Sequence, residues 1–226
     1  MSLIDLIFPK NCLECKKSGD YICKDCLSRV GVPESICPKC NKASIDGFTH
    51  VKCRTNYGVD GLVSLWNYEG VIRTAIIALK YKYATEVANE LKSYMVAKLQ
   101  RGEILLPSAY YLVPIPMHWY RENVRGFNQS YELGKLISKA MGWKFIPDLL
   151  IRNKHNTPQA KLGREERQQN IKGVFELDSS YQSLISNHQP LILFDDVYTT
   201  GSTLKEAAMV LKRKGVQNVW GLTVAR

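Results

Sequence analysis

The sequence predicts an α/β protein: a parallel sheet covered by helices on both faces, preceded by a small metal-binding module. Three observations carry this. All seven cysteines fall within residues 12–53, six of them in closely spaced pairs. From residue 61 onward, short apolar runs alternate with segments of helical periodicity, the pattern of strand–helix–strand units. One of those runs, LILF (191–194), is uninterruptedly apolar, as a central parallel strand should be, and it ends in two acids.

The elements follow in order. The cysteine pairs place a module at 1–56, and the α/β domain occupies 57–226. GLVSLWNY (61–68) reads as a strand. GVIRTAIIALK (70–80) has apolar positions at helical spacing, and 85–100 continue as a second helix. YYLVPIP (110–116) is a short strand stopped by prolines. NQSYELGKLISKAM (128–141) is an amphipathic helix with Asn128 or Ser130 as its cap. Residues 153–170 are polar and charged and read as a loop. PLILFDD (190–196) is a buried strand, 202–214 a helix and NVWGLTVAR (218–226) a final strand.

Composition narrows the setting. The start, MSLIDLIF, is too short and too acidic for an export signal, and no apolar run reaches the ~18–20 residues of a membrane helix. Cysteines spaced for metal rather than scattered for disulfides agree with a cytoplasmic protein. The formal charge is +10. Seven thiolates and two divalent zinc ions would change it by −3, to about +7. The module's own excess, nine Lys/Arg against six Asp/Glu, would vanish with that change. The basic character therefore belongs to the larger domain.

The module reads Cys12-x2-Cys15, Cys23-x2-Cys26, Cys37-x2-Cys40 and His50-x2-Cys53. A CxxC pair puts two ligands on one tight turn, and two such turns complete a zinc tetrahedron. Sequential pairing gives one site of Cys12, Cys15, Cys23 and Cys26 and one of Cys37, Cys40, His50 and Cys53; an interleaved brace satisfies the same spacing. Four filled positions leave none for a substrate, so the expected role is to hold a segment that has little core of its own.

FDDVYTTGST (194–203) carries the binding chemistry. In open α/β sheets ligands sit beyond the carboxyl ends of the strands. Asp195 and Asp196 stand there, able to accept hydrogen bonds from two ribose hydroxyls. Thr199, Thr200, Gly201, Ser202 and Thr203 follow, and their hydroxyls, with the amides of a helix start, make an anion site for a phosphate. A plain strand ending in a capped helix would use similar residues, but strand, paired acids, hydroxyl–glycine loop and helix here occur together in the required order. Upstream, Arg125 and Gly126 of RGFNQ suit a pyrophosphate.

FDDVYTTGST resembles the phosphoribosyl pyrophosphate motif of type I phosphoribosyltransferases. The resemblance implies that fold behind the zinc-ribbon module. It implies that Asp195 and Asp196 bind the ribose hydroxyls, that Thr199–Thr203 wrap the 5′-phosphate, and that magnesium arrives with the ligand. Paired CxxC knuckles, RGFNQ and DDVYTTGST together resemble the ComF family. LKYKYATEVANEL (79–91) and NTPQAKLGREERQQNIKGVF (156–175) extend the match over essentially the whole chain. His50 departs from it, standing where many members have cysteine. The resemblance implies a role in natural transformation and the handling of single-stranded DNA, with a competence helicase-type protein as a partner.

Segment 152–172 carries six Lys/Arg against two Glu. Lys161 and Arg164 are the candidates to reach a pyrophosphate when such a loop closes. The same charges could track a single strand, with Trp119, Tyr120 and Tyr198 as stacking aromatics, or simply face solvent. Three functions stay open: a ligand-binding competence factor, a phosphoribosyltransferase acting on an unknown nucleophile, and a ligand sensor. Fold alone does not choose among them.

Overall fold

A computed structural model describes residues 10–79, 84–102, 104, 106–107, 111–117, 128–152, 173–181 and 189–226. Five parallel strands form the main sheet in the order β1 (Gly61–Trp66), β7 (Val219–Ala225), β6 (Leu191–Val197), β2 (Tyr111–Pro114) and β3 (Lys144–Phe145). Strand neighbours in space are distant in sequence. Leu62 stands opposite Gly221, Asp195 opposite Thr223, and Val113 opposite Leu193.

Side-chain alternation divides the core into two layers. Val63, Leu65, Leu112, Ile192, Phe194, Trp220, Leu222 and Val224 face one way. They pack under helices α2 (Gly70–Ala78), α3 (Ala84–Gln100) and α4 (Gln129–Met141). Leu62, Val113, Leu191, Leu193 and Val219 face the other way, under α5 (Ser202–Arg213). Gly221 lets α5 approach, because a methyl there would sit 3.0 Å from both Leu204 and Leu62. Central strands buried on both faces read as continuous apolar runs, as 191–194 does.

The strands and helices expected at 61–68, 70–80, 85–100, 110–116, 128–141, 190–196, 202–214 and 218–226 are all present, with ends shifted by a few residues. Three short strands were not expected. β3 lengthens the sheet edge beside β2. β4 (Leu150–Arg152) and β5 (Phe175–Leu177) form a separate antiparallel pair, with Arg152 opposite Phe175. That pairing sets Arg152, where the basic segment begins, beside Phe175. Runs of two or three residues are too short for alternation to reveal.

The cysteine module is a tandem repeat. In the first copy Asn11 bridges Ser18 around Cys12 and Cys15. In the second, Ile36 bridges Ala43 around Cys37 and Cys40. Each knuckle turns through a left-handed residue four positions after its first cysteine, Lys16 (φ 64°) and Asn41 (φ 59°). Each second pair opens a short helical turn: α1 (Lys24–Leu27) after Cys23, and a 3-10 turn, Val51–Cys53, after His50.

The two copies dock differently. The first meets α3, where Ile22 N–H donates to Glu90 Oε2 (2.9 Å) and the Tyr94 hydroxyl to the Ile22 carbonyl (3.0 Å). The second covers the β1 edge through a Phe48–Gly61 bridge, with the Phe48 ring edge-on to Trp220 at 4.7 Å. Covering an edge removes a place for unwanted strand pairing. Among the described residues no helix is long and apolar enough to cross a membrane.

Candidate functional site

Asp195 and Asp196 lie at the carboxyl end of β6, where a parallel sheet presents its ligands. Both are partly buried. Asp195 Oδ1 accepts from the Ser130 hydroxyl at 3.1 Å and from the Asp196 amide at 2.9 Å. Asp196 Oδ1 accepts from the Val197 amide at 2.8 Å. Burial, and then the neighbouring Asp196 charge, raise the Asp195 pKa well above the ordinary carboxylate range. The amide and Ser130 bonds oppose that rise without cancelling it. An ionised Asp195 is thus held at a cost that hydroxyl donors or a divalent cation would relieve.

Ser130 is placed by α4. Asn128 caps that helix, accepting from the Ser130 and Tyr131 amides, and its own Nδ2 donates to the Ile115 carbonyl beyond β2. The start of α4 is thereby tied to the strand next to β6. The sequence offers Asn128 and Ser130 as alternative caps; Asn128 caps, and Ser130 is released to meet Asp195.

The hydroxyl–glycine loop joins β6 to α5. Gly201 is the N-cap at φ 71°, and a methyl there would drive into the Tyr198 ring. Gly201 has no side chain to cap the first helical turn, and the Ser202 amide is met by the Thr200 hydroxyl at 3.3 Å, so hydroxyl and amides gather at the positive end of the helix dipole. Thr200 and Ser202 hydroxyls meet at 2.6 Å, and Lys205 Nζ reaches the Thr200 carbonyl at 3.2 Å. Thr199 is exposed, and Thr203 is half-buried in the first turn. This assembly offers hydroxyls, amides and a nearby ammonium to an anion.

Tyr198 contradicts the reading of it as a stacking aromatic. It is only 4% exposed. Its hydroxyl shares one proton between the Pro38 carbonyl (3.1 Å) and Asn41 Oδ1 (2.9 Å). Burial pushes its pKa up to about 12, so it stays a protonated donor. Arg125, Gly126, Lys161 and Arg164, with Trp119 and Tyr120, lie outside the described residues.

The ligand atoms of Cys12, Cys15, Cys23 and Cys26 lie within 4.8 Å of one another, and so do those of Cys37, Cys40, His50 and Cys53. Pairing is therefore sequential, not interleaved. Zinc–sulfur bonds of ~2.3 Å in a tetrahedron put sulfurs about 3.8 Å apart, and a sulfur and an imidazole nitrogen about 3.5 Å apart. Cys15 and Cys23 sulfurs are 3.7 Å apart, and Cys40 Sγ is 3.5 Å from His50 Nδ1. His50 Nε2 lies 2.9 Å from the Ala43 carbonyl. Donating there turns the Nδ1 lone pair toward the three thiols, the support that a metal-bound imidazole needs.

Each set also holds one thiol ready to ionise. Burial acts to raise Cys12, but amides of Cys23, Glu14 and Cys15 outweigh it and bring it to about 6. Cys37 comes to about 7 in the same way, burial being outweighed by amides of Cys40, His50 and Lys39. Burial and neighbouring thiols push Cys26 up to about 12 and Cys53 to about 11. Those protons leave when a metal enters.

Comparison with known proteins fits this anatomy. The double zinc ribbon domain family matches residues 3–54. Competence protein F of Haemophilus influenzae is 37% identical over 128 residues, which are 54% of this chain and 53% of that protein. Competence protein ComFC of Bacillus subtilis is 27% identical over 211 residues, 88% of this chain and 81% of that protein. DNA utilization protein YhgH of Salmonella typhi is 28% identical over 204 residues, 88% and 87% of the two chains. Over most of its length the chain is thus similar to proteins named for competence and for DNA utilization. It spans about half the length of the Haemophilus relative and most of the others.

This chain is a zinc-binding double ribbon ahead of a parallel α/β sheet. A solved structure titled as the allosteric regulatory enzyme of purine biosynthesis overlaps 61% of this chain and 26% of that one. Its identity is 15% and its TM-score 0.39.

Sequence reasoning misses the roles of three residues of the site: it offers Ser130 as a cap and Tyr198 as a base stacker, and it does not single out Lys205. Tyr198 alone could have been suspected, being an aromatic flanked by small polar residues at the mouth of a loop.

Proposed function

We propose that this protein binds phosphoribosyl pyrophosphate with magnesium, and that it serves the handling of single-stranded DNA in the cytoplasm during natural transformation. The observation that carries the reading is the β6–loop–α5 unit. Two carboxylates stand at a strand's carboxyl end, and a helix start capped by glycine, with the paired Thr200 and Ser202 hydroxyls, follows directly. Asp195 and Asp196 would take the ribose hydroxyls, and Thr199–Thr203 the 5′-phosphate. Arg125, Gly126, Lys161 and Arg164 are the proposed pyrophosphate contacts. The names of the relatives, competence proteins and a DNA utilization protein, support the biological setting; a helicase-type protein is the proposed partner.

Magnesium would supply charge neutralisation of the pyrophosphate. What this chain's residues do is narrower: the two carboxylates orient the ribose, and the loop fixes its 5′ end. The same arrangement would serve transfer of the ribosyl group to a nucleophile, which is the second reading.

Isothermal calorimetry with phosphoribosyl pyrophosphate and magnesium tests the site. Asp195→Asn combined with Asp196→Asn should abolish binding, and unchanged affinity would refute the assignment. Binding to single-stranded DNA should fall steeply with salt; equal affinity for duplex would count against the competence role. Pyrophosphate release across a panel of bases would establish transfer.

A further inference from the structure

We infer that Tyr198 is a positioning residue that makes the second zinc site a working part of the phosphate loop, while the first zinc site has no such part. The inference rests on the proposed phosphate-binding reading and concerns how that same site is kept in shape.

One backbone carbonyl distinguishes the two ribbons. In the tandem repeat, Leu13 and Pro38 occupy equivalent places, one residue after the first cysteine of each knuckle. The Leu13 carbonyl is satisfied within its own knuckle, by Lys16 Nζ at 3.1 Å. The Pro38 carbonyl is satisfied from another domain, by the Tyr198 hydroxyl at 3.1 Å. The left-handed corner behaves likewise. Asn41, the counterpart of Lys16, turns its Oδ1 to the same hydroxyl at 2.9 Å. Pro38 follows Cys37 and Asn41 follows Cys40, so zinc at Cys37, Cys40, His50 and Cys53 fixes both acceptors.

The other face of Tyr198 supports the loop. Its amide is anchored to the Ala225 carbonyl of β7 at 2.9 Å. Gly201, the helix cap, folds so closely over the ring that a methyl would not fit. The ring is thus a template under the phosphate loop, and its hydroxyl end is set by the second ribbon. A cleft of about 490 Å³ shows how near the two parts stand: Pro38, Lys39 and Cys53 form one wall, Ser202 and Lys205 the other. The first ribbon touches α3 instead, through Tyr94 and Glu90.

Two tyrosine hydroxyls therefore tie two ribbons to one domain, and only one of them bears on the loop. The test uses both. Tyr198→Phe and Tyr94→Phe are each measured for zinc content by elemental analysis and for ribose 5-phosphate affinity by calorimetry. Tyr198→Phe should keep two zinc ions per chain and lose roughly three- to tenfold in affinity, the worth of one or two buried hydrogen bonds. Tyr94→Phe should keep both zinc and affinity. Cys40→Ser should drop zinc to one per chain and lose affinity by at least as much. Added to Tyr198→Phe, it should cost little more, since the connection is already cut. Unchanged affinity in Tyr198→Phe, an equal loss in Tyr94→Phe, or fully additive losses would overturn the inference. Absence of ribose 5-phosphate and phosphoribosyl pyrophosphate binding by the unaltered protein would instead overturn the underlying reading.

Discussion

Asp195 is strained by its surroundings in one protonation state only. Burial beside Asp196 raises its pKa, so the folded chain holds a proton that the unfolded chain releases. A carboxyl raised on folding contributes stability at pH below its ordinary value, and that contribution is lost as pH rises through the folded value. Asp195→Asn keeps an acceptor for Ser130 and for the Asp196 amide while removing the charge. The variant should therefore melt at a higher temperature than the parent at pH 8, with the gap closing toward pH 4. Thermal unfolding at the two pH values checks this. The same substitution should weaken ligand binding, so stability and binding move in opposite directions. Such opposition is common where a site holds a charge for its ligand.

At the scale of elements, the legible parts were those with length and a period. β6 announced itself by four consecutive apolar residues, and α4 by its stripe of Leu133, Leu136 and Ile137. β3, β4 and β5 were silent because two or three residues carry no period. Tyr198 was misread because a sequence shows that an aromatic lies in a loop, not which distant knuckle its hydroxyl meets. The α4 start illustrates how element and site are linked. Asn128→Ala removes the acceptor for two amides and the donor to Ile115, which should cost about 1–2 kcal/mol. It should also loosen Ser130 from Asp195. Chemical denaturation would give the first effect, and calorimetry with ligand a loss of affinity beyond the stability change.

Across the whole molecule, the two modules meet at Asp60. Its carboxylate accepts from Lys212 Nζ of α5 at 2.7–2.8 Å and from the Val219 amide of β7 at 2.8 Å. Its carbonyl receives the Thr49 amide of the second ribbon at 2.8 Å. The Lys212 side chain is 7% exposed, and that of Asp60 29%. Asp60→Ala would leave a buried ammonium without its partner. The expected loss is about 2–3 kcal/mol, less than for a wholly buried pair because Asp60 keeps some water. Urea unfolding should show it. If the junction is as central as these bonds make it, ribbon and sheet should also cease to melt together.

The order of strands sets an order of events in synthesis. β7 lies between β1 and β6, although more than 150 residues separate Trp66 from Val219. Cysteines 12 to 53 leave the ribosome first and can take up zinc while the later chain is still being made. Until residues 219–225 appear, β1 and β6 each present a bare edge, and nothing joins them. A ribosome that stalls in that interval carries a finished metal module attached to an unfinished sheet. Such a fragment would keep zinc from the cell while offering two sticky edges. A stop codon late in this gene should therefore be more harmful than one that ends the chain before residue 61.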